Sequence, residues 1–362
     1  MIARSLAVLP TATLIGVAGT LVTASLTYGQ DADADLRVLP VRGNVVMIVG
    51  AASNLTVSVG VDGVFLVDPG SAALADTVLA KVREIGLGAV GAPARMTTCV
   101  GPQCYAPGSA GPYTPYGWAN PAYNAVISSP APARPIRWIV QTTFDRDHIG
   151  ATGKLAAAGR TFLGLGKADP GATVFGHENL LRRMGQLNAP PDLRPTETYD
   201  RETYKLSQYV NGEGIQLYHA AAVTDGDTLV HFRFSDVISA GDVYAPDRYP
   251  AIDVDKGGSV QGVIDGLNTI IDVAFPEYRS QGGTMIVPGH GRLSDTADVA
   301  IYRNMVVIVR DRVLDLIAQG KSLEQIKAAR PTLDFDGMYG SPGPFIEAVY
   351  RDLTRVGRTD HR

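Results

Sequence analysis

Cysteine is almost missing from this sequence. The 362 residues include two, Cys99 and Cys104, in a stretch crowded with proline and glycine. Two cysteines cannot supply the four ligands a structural zinc usually takes. In an exported chain such a pair is expected to close a small loop as a disulfide. Charge of one sign is missing too: 32 Lys and Arg stand against 36 Asp and Glu, for a net charge of −4, with both signs interspersed. No basic block points to nucleic acid, and no basic amphipathic stretch points to an anionic membrane surface. A repeat at a solenoid period is also absent. What remains is an ordinary globular balance, 45% hydrophobic and 19% charged, long enough for one large domain or two small ones. The expected partner is a small-molecule substrate.

One long apolar run stands out. Arg4 precedes an apolar stretch from Leu6 to about Thr27, interrupted by Pro10, Gly16 and Gly19, and an acidic segment follows from Asp31 to Asp35. Residues 1–29 therefore read as a secretory signal peptide, with Val22-Thr23-Ala24 fitting the small-x-small cleavage pattern. The run is just long enough to span a bilayer, so an uncleaved N-terminal anchor is the alternative. The expected location is periplasmic or secreted, membrane-anchored only if the leader stays.

Beyond the leader, Leu36 to Val49 alternates as strand does. Leu55–Val59 and Val64–Val67 flank Asp62-Gly63, a hairpin signal. Leu74, Val78, Val82 and Ile85 recur at helical spacing. A Pro/Gly/Tyr-rich segment at about 87–135 has no steady period and reads as an insertion. Strands are expected at Ile136–Val140, Thr173–Phe175, Ile215–Tyr218, Thr228–Phe234, Asp236–Ser239 and Thr284–Val287. Helices are expected after Ala151, near His177 and over Val260–Val273. In the C-terminal part, Val299, Tyr302, Val306, Val309, Val313 and Leu316 form one apolar face. Gly320 ends that helix, and Ser322 with Gln325 makes a capping box for the next. A last helix runs through Phe345, Val349 and Leu353. Two sets of strands, each followed by helices, predict two packed sheets with helices outside, an α+β fold.

The chemistry concentrates at strand ends. Asp145-Arg146-Asp147-His148 follows a buried strand, Asp242 follows another, and His290 lies in Pro288-Gly289-His290-Gly291 after a third. Carboxylates and imidazoles on three such turns can grip a catalytic metal while leaving a position for water.

These motifs resemble, in order and spacing, those of the metallo-β-lactamase superfamily: Asp68-Pro69-Gly70, Asp147-His148-Ile149-Gly150, Thr224-Asp225-Gly226-Asp227, Ala240-Gly241-Asp242 and Pro288-Gly289-His290-Gly291. His177-Glu178-Asn179 is similar to a sequence of its periplasmic branches. The resemblance runs from about Gly43 to the C-terminus, leaving out the insertion. It implies an αββα four-layer sandwich over residues 36–330, with a C-terminal helical extension at 331–362 packed on the same domain. It also implies a site at the edge where the sheets meet. The family's His-x-His-x-Asp-His motif places Thr143 and Asp145 where two histidines belong, and Val223 stands at the next histidine position. The first metal site is therefore rewritten. The second, carried over as Asp147, His148, Asp242 and His290, is complete.

One divalent metal, zinc or else iron, is the expected cofactor. Asp145 is the candidate general base beside the ligand and catalytic residue Asp147; the alternative for Asp145 is a salt bridge to a basic group such as Arg146. His219 stands four residues before Val223 as a possible replacement ligand, against an ordinary strand position. His231 reads as structural, His177 as a cap or packing residue, and His361 as part of a frayed tail. Tyr244, Arg248 and Tyr249 are candidate pocket residues. Three functions compete: an exported single-metal hydrolase, a degenerate binding or sensing protein, and an iron site for redox chemistry.

Overall fold

A strand buried on both sides sends alternate residues to opposite cores. In the computed structural model of the protein, which describes residues 35–88, 133–161, 170–275 and 282–359, this alternation assembles four layers. The leader, Cys99 and Cys104 with most of the insertion, and His361 lie outside the described residues.

The first sheet has seven strands in sequence order: β1 (Arg37–Arg42), β2 (Val45–Ala51), β3 (Ser53–Gly60), β4 (Gly63–Val67), β5 (Ile136–Val140), β6 (Thr173–His177) and β7 (Glu197–Tyr199). β1 to β4 are antiparallel neighbours; β4 to β7 run parallel. The second sheet has the order β12-β11-β10-β9-β8, from β8 (Thr203–Val210), β9 (Glu213–Ala220), β10 (Asp227–Phe232), β11 (Val237–Gly241) and β12 (Met285–Pro288). Its one parallel pair is β11 with β12.

Three apolar cores separate the layers. Val64 and Leu66 face outward with Val78, Val82 and Leu155, under helices α1 (Ala75–Gly88), α2 (Arg146–Ile149) and α3 (Thr152–Ala158). Phe65 and Val67 face inward and meet Val230, Phe232 and Val237 of the second sheet. Phe65 and Phe232 pack edge to face, 5.7 Å between ring centres. Leu229, Ile238 and Ile286 point to the third core, closed by helices that follow α4 (Glu178–Gln186): α5 (Val260–Val273), α6 (Thr296–Ala318), α7 (Leu323–Ala329), α8 (Asp336–Tyr339) and α9 (Gly343–Thr359).

Local signals start and stop these helices. The Ser259 hydroxyl accepts the Gly262 amide at the start of α5, and Asp295 accepts the Asp298 amide at the start of α6. Val299, Tyr302, Val306, Val309 and Val313 are the buried stripe of α6. The capping box of Ser322 and Gln325 is formed at α7. Among the described residues no helix is long and apolar enough to cross a membrane.

The sequence pattern overlooks several elements. The span from Leu36 to Val49 is two strands turned at Gly43, whose φ is +58°. β7 and β8 are missed because their residues are mostly polar and half exposed. α2 is a single turn of four residues, too short to show a period.

Candidate metal centre

Two of the parallel strand pairs, β4–β5 and β11–β12, end at one place. Asp68 follows β4, residues 141–149 follow β5, Asp242 follows β11 and His290 follows β12. Ligand sites favour such carboxyl ends because the turns beyond them are free to aim side chains. A buried polar clasp fixes the two sheets in register there. The Asn54 amide nitrogen of β3 donates to the carbonyls of Pro288 (3.0 Å) and Gly291 (2.9 Å), and its backbone N–H donates to Gly289 (2.8 Å). The Ser53 hydroxyl donates to the Asp147 carbonyl, 2.8 Å. Two glycines are required by close approach: a Cβ on Gly241 would strike Thr142, and one on Gly289 would strike the Asp242 carboxylate.

Four donors converge. The Nε2 atoms of His148 and His290 are 3.3 Å apart. His148 Nε2 lies 3.2 Å from Asp242 Oδ2, and His290 Nε2 lies 3.1 Å from Asp147 Oδ2 and 3.5 Å from Asp242 Oδ1. The edge of a zinc tetrahedron with bonds of about 2.0–2.1 Å is about 3.3–3.4 Å. Asp147, His148 and His290 therefore have the spacing and the chemistry to hold a divalent ion, and Asp242 lies against both imidazoles.

Asp68 decides which face of His148 is available. Its Oδ2 is 2.9 Å from His148 Nδ1 and accepts the Thr142 hydroxyl at 2.5 Å, while Oδ1 accepts the Thr142 amide at 2.8 Å. A carboxylate on Nδ1–H leaves the Nε2 lone pair for a metal. Asp68 holds φ = +55°, a left-handed conformation that Asp tolerates better than most residues. In the sequence Asp68 is legible only as part of a motif; an acidic residue between a buried strand and Pro-Gly is the available signal. Asn54 left no signal.

The metal-free electrostatics agree with this arrangement. Burial pushes the His148 imidazolium down, but the charges of Asp242 and Asp68 more than offset it, and its pKa lies well above the usual value. Burial pushes the Asp147 carboxyl up, and the hydrogen bond with His290 and the charge of His148 bring it below the ordinary range. Asp242 is likewise lowered against its burial, by His148 and then His290. The carboxylates are ionised and paired, ready to exchange a proton-bearing partner for a cation.

The three substituted positions offer few metal-binding side chains. Thr143 is fully buried and its hydroxyl has no partner among the described residues; Val223 is buried and apolar. Asp145 is the only charged one of the three, and its partner is Lys256, Nζ to Oδ1 3.8 Å, where the sequence suggested Arg146. Burial and the Asp242 charge raise the Asp145 carboxyl above its ordinary value, against the pull of Lys256. Among the described residues, Asp147, His148 and His290 are the one group of three or more such side chains close enough together to hold an ion.

The other candidates sort by geometry. His219 does not replace a ligand: its Nε2 is 2.9 Å from the Asp225 carbonyl and its ring stacks on His177 at 3.7 Å. His177 caps α4 by accepting the Asn179 amide. Tyr244 and Tyr249 are not pocket residues; both are buried in the third core, with hydroxyls on Ser294 and Asp336. Arg248 is half exposed, and its charge is felt by Asp242. In Thr224-Asp225-Gly226-Asp227, the Asp227 carboxylate accepts the Thr224 amide and hydroxyl, and burial lifts its pKa to about 7.

No family model matches the sequence, and no curated protein matches it. Solved structures do. The stereoselective inverting sec-alkylsulfatase Pisa1 from Pseudomonas sp. is 13% identical over 87% of this chain and 50% of that one, with a TM-score of 0.59. A double mutant of the same enzyme matches at 13% identity, the same coverage and a TM-score of 0.58. The chain thus spans about half the length of the alkylsulfatase structures it matches. DIM-1 metallo-beta-lactamase matches more loosely, at 11% identity over 75% of this chain and 96% of that one, with a TM-score of 0.47. Two facing sheets between helical layers, and motif turns gathered at their shared edge, give this chain the metallo-β-lactamase fold.

Proposed function

We infer that the protein is an exported hydrolase that works with a single divalent metal. The observation that carries this reading is the convergence of His148, His290, Asp147 and Asp242 at spacings of 3.1–3.5 Å, next to positions that offer no second set of ligands. When bound, the ion supplies a Lewis acid and an acidified water. Asp147, His148, Asp242 and His290 hold it, and Asp68 keeps His148 in the ligating tautomer. Asp145 accepts the proton of the attacking water. Its side chain is 40% exposed, open to substrate and solvent.

Zinc suits two imidazoles and two carboxylates; iron suits them as well. The bond cleaved is an ester, thioester, amide or phosphoester, and the alkylsulfatase likeness adds sulfate esters to that set. The test is a panel of chromogenic carboxyl, phosphate and sulfate esters, offered to the zinc-loaded protein and to the same protein after chelation. Turnover of one class that chelation abolishes and zinc restores is expected. Turnover indifferent to chelation contradicts the reading. Loss of the first-site ligands at Thr143 and Val223 favours one other reading, in which the four donors hold a metal without turnover. A zinc-bound protein inactive on every class would support that reading.

A further inference from the structure

We propose that the Lys256 ammonium stands in for the missing first metal ion and binds an anionic oxygen of the substrate. The proposal rests on the hydrolase reading above and names a substrate-binding residue for it. Lys256 is tied to the rewritten positions by side chain and by backbone. Its Nζ lies 3.8 Å from Asp145 Oδ1, at the one rewritten position that kept a charge. Its backbone carbonyl accepts the Asp225 amide (3.0 Å), two residues beyond Val223, and the Asp253 amide of the same turn donates to the Val223 carbonyl (2.9 Å). Thr224 bridges to Gly257, and the Ser259 amide donates to the Ala222 carbonyl (3.0 Å). A Cβ on Gly258 would collide with the Val223 carbonyl, so the turn sits as close to this segment as backbone allows.

The ammonium is held but not used up. Asp253 Oδ2 fixes it at 2.9 Å and the Phe144 ring lies 5.3 Å beneath it. The 3.8 Å to Asp145 is an ion pair too long for a direct hydrogen bond. Of three N–H donors, at least one remains, on a side chain 27% exposed. A fixed positive charge here does what an ion would do electrostatically: it attracts an oxygen that carries negative charge and steadies more of it as water adds.

The test uses inorganic phosphate as the probe, titrated calorimetrically into the zinc-loaded full chain. Wild type, Lys256→Met and Lys256→Arg are compared, with zinc content and melting temperature measured on the same samples. Phosphate is expected to bind wild type and Lys256→Arg within about threefold of each other, and Lys256→Met at least about tenfold more weakly. Zinc content should be equal in all three. Equal phosphate affinity in Lys256→Met overturns the proposal, as does a zinc-loaded wild type that binds no phosphate. Loss of phosphate binding together with zinc or with thermal stability also overturns it, since that is the signature of a purely structural turn. If wild type holds no zinc at all, the hydrolase reading fails separately. Phosphate binding to the metal-free chain that still requires Lys256 then upholds the lysine's role.

Discussion

Asp68 touches no substrate, yet the centre depends on it. With its carboxylate on Nδ1, His148 presents Nε2 to the ion; with an amide there, either ring nitrogen could carry the proton. Asp68→Asn should therefore weaken zinc binding by about 10- to 100-fold, the usual effect of removing a carboxylate behind a ligating histidine. Competition with a chromophoric chelator measures it, and circular dichroism checks that the fold persists. Unchanged affinity would mean that Asp68 only packs against Thr142. At this scale the sequence was most legible where a residue type is chemically scarce: the four donors could be read from motif order. The partners of those donors could not, because Asp, Asn and Lys occur everywhere and only the fold brings Asp68, Asn54 and Lys256 to the site. The alternative for Asp145, a salt bridge to a basic group such as Arg146, has Lys256 as that group, because sequence neighbours are nearest only along the chain.

Among the elements, β3 and β10 carry the most consequence. β3 presents Asn54, whose three hydrogen bonds reach across to the turn that carries His290. Asn54→Ala strips the carbonyls of Pro288 and Gly291 of their buried donor and should cost about 1–3 kcal/mol of stability. It should also lower zinc affinity, because the His290 turn is loosened. Urea unfolding with and without zinc separates the two effects, and a variant as stable as wild type contradicts the clasp. β10 carries His231, buried, with neither ring nitrogen partnered among the described residues. Burial lowers its pKa to about 4. The unfolded chain binds this proton near pH 6.5 and the folded one only near pH 4, so stability is lost as pH falls through that window. Relative to wild type, His231→Gln should lose less stability between pH 6.5 and 4, measured by urea midpoints. Parallel curves would show that His231 does not contribute. Strand propensity made β10 legible; β7 is only three residues long, and β8 alternates only over Thr203–Ser207 with no buried position.

Seen whole, the molecule is four layers with its chemistry at one open edge. Strong periodicities predicted the layers: the α5 and α6 stripes, the β3–β4 hairpin and the run into β12 all face the cores their patterns require. The site was legible as a set of residues and illegible as a surface, because the turn bearing Lys256 comes from more than a hundred residues downstream of Asp145. The layer interface itself can be tested. Phe65→Ala removes the inward ring that meets Phe232 and should cost about 3–5 kcal/mol, read as a shifted urea midpoint. A cost near zero would mean that the sheets do not pack through this pair.

The proposed function turns on a single metal held by Asp147, His148, Asp242 and His290. Elemental mass spectrometry of untagged protein, purified without added metal, tests it most directly, alongside His290→Ala. About one zinc or iron per chain is predicted for wild type, and a marked loss in the variant. Two ions per chain, no ion even after incubation with zinc, or full metal content in His290→Ala would contradict it.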